Sequence, residues 1–229
     1  MRLPIIEDFL ALLFPKTCCL CKKSLYAFED QLCNPCIAQL PMTNYHLRPE
    51  QNDLSIKIQG LSQVGRVMAF LRFTKKGQSQ QLLHQLKYRN RPDLGHLLGK
   101  LYGQLLLEHG MQKLWDQVSP VPLHPAKQRR RGYNQSEQFA LGLGASLQIP
   151  VLLSLERKVY TETQTKKSRL ERLDNVSEVF GVQGDVSGKK ILLVDDVMTT
   201  GATLVSCANT LLKHHAQEVD LAVIAAGRN

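Results

Sequence analysis

The sequence predicts an α/β chain built on an open parallel sheet flanked by helices, with a small four-cysteine module near its N-terminal end. Three observations carry that expectation. The run Ile191 to Val194 is uniformly apolar, as a strand covered on both faces should be. It leads through two aspartates and a small-residue turn into an apolar periodic segment, Leu204 to Leu212, which gives a strand–turn–helix order. Cys18, Cys21, Cys33 and Cys36 form two Cys-x-x-Cys pairs with eleven residues between them.

Taken from the N-terminus, Leu3 to Phe14 is apolar but short and is interrupted by Glu7 and Asp8. It reads as an amphipathic helix, without the length of a membrane span or the small-residue cleavage site of a signal peptide. A cytoplasmic location is therefore expected. In that compartment the paired cysteines read as metal ligands before disulfides. Their spacing suits two knuckles giving four thiolates to a tetrahedral structural zinc, with Asn34 and Pro35 forming the turn of the second knuckle. Cys19 is left over, and Cys207, on a later helix, reads as a small buried hydrophobe. A polar connector from Pro41 to Asn52 separates two expected units, residues 1–50 and residues 60–229.

The second unit opens with an alternating run, Val67, Ala69, Leu71 and Phe73, expected as a strand. Helical periodicity follows over Gln80 to Tyr88 and Leu94 to Leu107, with Pro92 between them as a first-turn proline. A strand at Val118 to Val121 enters the segment Leu123 to Gln135, where Pro122 and Pro125 predict an irregular basic loop. A helix from about Asn134 to Leu147 follows, with Asn134 and Glu137 at capping-box spacing. Short strands are expected at Val151 to Leu155, Lys190 to Val194 and Leu221 to Ala226.

Charge narrows the partners. Lysine and arginine total 29 against 20 acidic residues, a formal +9 that attracts anions, whether phosphorylated metabolites or nucleic acid. The excess is clustered, at Lys127, Arg129, Arg130 and Arg131, and again from Arg157 to Arg172. Both clusters fall in predicted loops of the unit that carries the strand–turn–helix signal.

That signal has a specific chemistry. Asp195 and Asp196 are expected at the carboxyl end of a parallel strand, where ligands of open sheets bind. Thr199, Thr200, Gly201, Ala202 and Thr203 then offer backbone N–H groups and hydroxyls at a helix N-terminus, which favours phosphate. Carboxylates that accept from ribose hydroxyls, beside a phosphate turn, describe a phosphorylated sugar. The stretch resembles the phosphoribosyl pyrophosphate (PRPP) motif of type I phosphoribosyltransferases, and has neither Walker A nor G-x-G-x-x-G spacing. With the cysteine pairs, Leu86-Lys87-Tyr88, Pro120 to Gln135, and Arg157, Thr161, Gln164, Arg172, Asn175 and Phe180, the chain is similar to the competence protein F (ComF/GntX) family.

The resemblance implies a type I phosphoribosyltransferase-like fold, PRPP bound with magnesium, and a part in natural competence or the handling of incoming single-stranded DNA. It implies that Asp195 and Asp196 hold the ribose, that Thr199 to Thr203 hold the 5′-phosphate, and that Arg129, Arg131 and Asn134 meet pyrophosphate. It also makes Thr161 to Asn175 a closing flap that brings Arg169 or Arg172 to the leaving group. Competence proteins and single-stranded DNA become candidate partners, with no membrane span. Two alternatives stay open: a non-catalytic module that keeps the pocket and binds protein or single-stranded DNA, and a nucleobase-salvage phosphoribosyltransferase. Base stacking has thin support, since only Tyr88, Tyr133 and Tyr160 lie among the basic clusters. His124 reads as a loop-orienting residue or a pyrophosphate donor, and Lys87 equally as a helix-end cation or a site residue.

Overall fold

The structure, a computed structural model, describes residues 15–158 and 179–227. The expected helix over Leu3 to Phe14 and the expected flap from Thr161 to Asn175, with Arg169 and Arg172, lie outside the described residues. The N-terminal cysteine segment leads into a short helix α1 (Asn34–Ala38) and, past a 3₁₀ turn at Tyr45–Leu47, into α2 (Asp53–Ile58). The rest follows as β1 (Val67–Phe73), α3 (Gln78–Tyr88), α4 (Pro92–Glu108), β2 (Gln117–Pro120), α5 (Pro125–Arg131) and α6 (Gln135–Leu147). Then come β3 (Leu155–Arg157), β4 (Phe180–Val182), β5 (Lys190–Met198), α7 (Ala202–Lys213) and β6 (Glu218–Gly227).

The expected parallel sheet is present. Its order is β1-β6-β5-β2, and every pairing is parallel. Along each strand alternate residues enter opposite cores. Met68, Phe70, Leu192, Val194 and Ile224 pack with Tyr102, Phe139 and Leu143 of α4 and α6. Ile191, Leu193, Leu221 and Val223 pack with Leu204, Cys207 and Leu211 of α7 and with Leu54 and Ile58 of α2. Each fully buried leucine, isoleucine or phenylalanine contributes about 1.5–3 kcal/mol over its exposed state. With both faces covered, the central strands need apolar residues at every position, which is why Ile191 to Val194 reads as a continuous run.

Several boundaries differ from the sequence expectation. In β1 the intervening Met68 and Phe70 are buried as fully as Val67 and Ala69, so the strand is covered on both faces. β5 does not end at Val194: it continues to Met198, because the ten-residue β6 extends the ladder through Asp195↔Val223 and Met198↔Ala226. On its other side β2 stops at Pro120↔Val194, which leaves that edge of β5 open from Asp195 onward. The Leu123 to Gln135 segment is not all loop. Pro125 occupies the first turn of α5, where its missing N–H costs nothing, and Gly132 ends the helix at φ 82°. Val151 makes only an isolated bridge to Val118, and β3 pairs with β4 in a separate antiparallel sheet.

Helices α4 and α6 cross at close quarters. A Cβ on Gly99 would lie 2.2 Å from the Phe139 carbonyl oxygen, and one on Gly142 would lie 2.1 Å from that of His96. The cysteine segment joins the α4–α6 core through Cys18, Cys19, Leu32 and Leu40.

Candidate functional site

Topology decides where the site sits. α7, which follows β5, packs on one face of the sheet, while α6, which follows β2, packs on the other. β2 and β5 are adjacent, so the chain departs in opposite directions from neighbouring strands and opens a crevice at their carboxyl ends. Ligands of doubly wound sheets bind at such switch points.

Asp195 and Asp196 stand at that crevice. Asp195 Oδ1 accepts from Ser136 Oγ at 2.7 Å and from the Asp196 backbone N–H at 2.8 Å. Burial, with the neighbouring Asp196 charge adding to it, pushes the Asp195 carboxyl up to about 7, against the pull of those two donors and of Lys87. Asp196 points to a different partner: its Oδ2 lies 2.9 Å from Lys87 Nζ. Lys87 therefore does more than close α3 against its dipole, since the last turn of that helix delivers the ammonium to the carboxylate pair.

The turn from Thr199 to Thr203 is held from below. Gly201 takes φ 81° at the N-cap of α7, and a side chain there would press on Met198 Cε at 2.9 Å and Ile58 Cγ2 at 3.1 Å. Lys57 Nζ of α2 donates to the Thr199 carbonyl, and Thr200 Oγ1 accepts weakly from the Ala202 N–H at 3.4 Å. Thr199 and Thr200 are exposed, so the turn presents its hydroxyls and the first N–H groups of α7 to solvent.

The basic segment forms another wall. Arg129 is exposed on α5. Arg131 donates from Nη1 to Gln135 Oε1 at 2.7 Å, while its Nε is buried with no partner among the described residues. Asn134 is committed to the fold: its Oδ1 caps α6 through the Ser136 N–H, and its amide donates to the Val121 carbonyl at 3.0 Å. The cap thus engages the second N–H of the helix through Ser136, where the sequence predicted a box with Glu137. His124 Nδ1 accepts from the Ala126 N–H at the start of α5, the loop-orienting arrangement. Tyr133 donates its hydroxyl to the Leu86 carbonyl, and burial pushes its phenol up, with Arg131 opposing and Asp196 reinforcing that shift. Both charges are therefore within electrostatic reach of one ring.

Four further residues enter this arrangement. Lys87 was open between a helix-end cation and a site residue, Tyr133 was visible only as an aromatic among the basic clusters, and Ser136 and Lys57 carried no sequence signal. All four depend on contacts between segments distant in the chain.

The N-terminal cysteines also converge. The Sγ atoms of Cys18, Cys21, Cys33 and Cys36 all lie within 4.8 Å of one another. A tetrahedron with metal–sulfur bonds of ~2.3 Å has sulfurs about 3.8 Å apart, so the cluster could hold a metal such as zinc. The Cys33 N–H donates to Cys18 Sγ at 3.4 Å. Although burial opposes ionisation, that bond and those from Cys21 and Leu20 hold the Cys18 thiol down at about 6. Cys19 faces away, within 3.4 Å of Arg91 Nη1 and 3.8 Å of Gln31 Oε1. Cys207 is fully buried, as a small core residue.

Sheet order, the acids at the switch point and the small-residue turn give the chain a type I phosphoribosyltransferase-like fold, and residues 133–229 match the phosphoribosyl transferase domain model. The chain is, more particularly, similar to proteins named for competence and DNA utilization. It is 34% identical over 113 residues to competence protein F of Haemophilus influenzae, which covers 48% of this chain and 49% of that one. It is 34% identical over 148 residues to the DNA utilization protein YhgH of Escherichia coli K12, covering 61% and 63%. Competence protein ComFC of Streptococcus pneumoniae is 32% identical over 131 residues, covering 57% of each. The matched region thus spans about half to 63% of the length of these relatives. Among solved structures, the glutamine PRPP amidotransferase of Bacillus subtilis overlaps 61% of this chain and 30% of its own at 25% identity, with a TM-score of 0.45. A purine phosphoribosyltransferase of Pyrococcus horikoshii overlaps 56% and 73% at 20% identity, with a TM-score of 0.37. No helix among the described residues is long and apolar enough to cross a membrane.

Proposed function

We propose that the chain binds PRPP with magnesium and uses it in a competence-related, phosphoribosyltransferase-like role. The observation that carries the reading is the convergence of Asp195 and Asp196 at the switch point with the exposed N-terminus of α7. In it, Asp195 and Asp196 accept from the ribose hydroxyls, and their charge favours the cation-like sugar formed as pyrophosphate leaves. The Thr199, Thr200, Gly201, Ala202 and Thr203 turn holds the 5′-phosphate through N–H groups and hydroxyls. Arg129 and Arg131 hold pyrophosphate, and the buried Nε of Arg131 would gain the acceptor it lacks. Asn134 serves by fixing the start of α6 against the end of β2 and so setting the Arg131 backbone. Arg169 and Arg172 are proposed to close on the leaving group. Magnesium, held chiefly by PRPP oxygens and water, would neutralise the charge of the pyrophosphate.

The proposal extends to the whole chain. Residues 1–50 are read as a structural zinc module and residues 60–229 as the phosphoribosyltransferase-like unit. The location is read as cytoplasmic, and single-stranded DNA and other competence proteins as partners. The names of the relatives support that setting.

The test is thermal unfolding with and without PRPP and magnesium. A ligand at a hundred times its Kd stabilises by about 2.7 kcal/mol, which raises Tm by several degrees. The joint change Asp195→Asn and Asp196→Asn should remove that rise. An intact chain that PRPP leaves unmoved would overturn the site. Pyrophosphate release over a panel of nucleobases then separates turnover from binding alone.

A further inference from the structure

A strongly basic concavity lies away from the carboxylate pair. A cleft of about 710 Å³ lies between the cysteine module and α3, lined by Lys22, Lys76, Arg89 and Arg91, with no aspartate or glutamate among the described residues of its walls. Among the described residues none of these four cations forms an ion pair. Lys22 and Arg91 are anchored to the module, by Lys22 Nζ to the Cys19 carbonyl at 2.8 Å and by Arg91 Nη1 to Gln31 Oε1 at 3.2 Å. Lys76 and Arg89 stand exposed at the two ends of α3.

The cleft has rings as well as charge. His84 lines it, and the ring of Tyr88, one helical turn on and 61% exposed, lies 4.9 Å from that of His84. Four cations would draw any polyanion. Exposed rings beside them favour one whose bases are unpaired and free to stack, since a duplex hides its ring faces. Side-chain amides of three glutamines in the same walls can bond to base edges.

We propose that this cleft is a binding site for single-stranded nucleic acid, with the phosphodiester chain across Lys22, Lys76, Arg89 and Arg91 and bases against His84 and Tyr88. This deepens the DNA-handling part of the proposed function and is independent of PRPP binding. The same helix that lines the cleft ends at Lys87, against Asp196, so a strand in the cleft lies one helix away from the carboxylate pair.

The test is fluorescence anisotropy of a labelled oligothymidylate on the full chain across a salt series, with a duplex of equal length and inorganic pyrophosphate as separate arms. The variants are Lys76→Ala with Arg89→Ala, and His84→Ala with Tyr88→Ala; all four side chains are exposed, and none belongs to the proposed PRPP site. Removing two phosphate contacts should weaken binding at least tenfold and reduce the salt slope by about 1.4, at roughly 0.7 per contact. Removing the rings should weaken binding about fivefold or more while leaving that slope unchanged. The inference is overturned if the intact chain does not bind the oligonucleotide, if both variants bind as the intact chain does, if duplex binds as tightly as single strand, or if pyrophosphate displaces the strand at concentrations that merely fill the PRPP site. A PRPP-induced rise in Tm that survives in both variants shows that they fold, and keeps a failure here distinct from a failure of the PRPP site.

Discussion

Lys87 Nζ lies 2.9 Å from Asp196 Oδ2, so residues 109 positions apart in sequence form one ion pair at the mouth of the crevice. The side chains are 24% and 14% exposed, between a free surface pair and a buried one. Its contribution should accordingly be about 1 kcal/mol. Lys87→Ala is expected to lower Tm by roughly 2–4 °C at neutral pH. In a double-mutant cycle with Asp196→Asn the two losses should fail to add by about that same 1 kcal/mol. Additive losses would show that the pair is not coupled.

Asp195 gives the site a pH dependence with a defined sign. Between its ordinary value of 3.8 and about 7, the folded chain keeps a proton on this carboxyl that the unfolded chain has released. Its contribution to stability therefore falls as pH rises through that window and is lowest above 7. Melting curves from pH 5 to 8 should show the intact chain losing stability relative to Asp195→Asn as pH rises. Parallel curves would refute the shifted carboxyl.

Metal removal should act on the fold. One zinc per chain is expected by elemental analysis, and a strong chelator should lower Tm markedly, because the cysteine segment shares the α4–α6 core through Cys18 and Leu32. Cys36→Ser should lose the metal, whereas Cys19→Ser should keep it, its sulfur being turned to Arg91 and Gln31. Equal metal loss in both variants would show that the four-sulfur cluster is assigned wrongly.

Gly99→Ala tests the helix crossing. The new methyl would meet the Phe139 carbonyl at 2.2 Å, and neither backbone can yield without moving α4 from α6. Overpacking of this kind costs about 3 kcal/mol, or roughly 6–12 °C in Tm for a chain of this size. A variant that melts with the parent would mean the helices are further apart than described.

Much of the fold was legible because its signals are local. The apolar run Ile191 to Val194, the periodicity of α3 and α4, and Pro92 at a helix start each reflect the chemistry of a few adjacent residues. The misjudged boundaries were set by partners. Nothing within β5 says that it continues past Asp196; the length of β6 beside it does. Nothing in Pro125 to Arg131 distinguishes a rigid loop from a seven-residue helix, since a proline fits the start of either.

The sequence by itself determined the acids, the small-residue turn after them, the basic segment and the four paired thiols, because each is a short pattern of adjacent residues. Tertiary structure decided what faces them. Ser136 meets Asp195 and Lys87 meets Asp196 because α6 and α3 pack on the face of the sheet opposite α7. The basic cleft exists because the cysteine module lies against α3. Such pairings are fixed by burial of apolar faces far apart in the chain, and no local spacing encodes them.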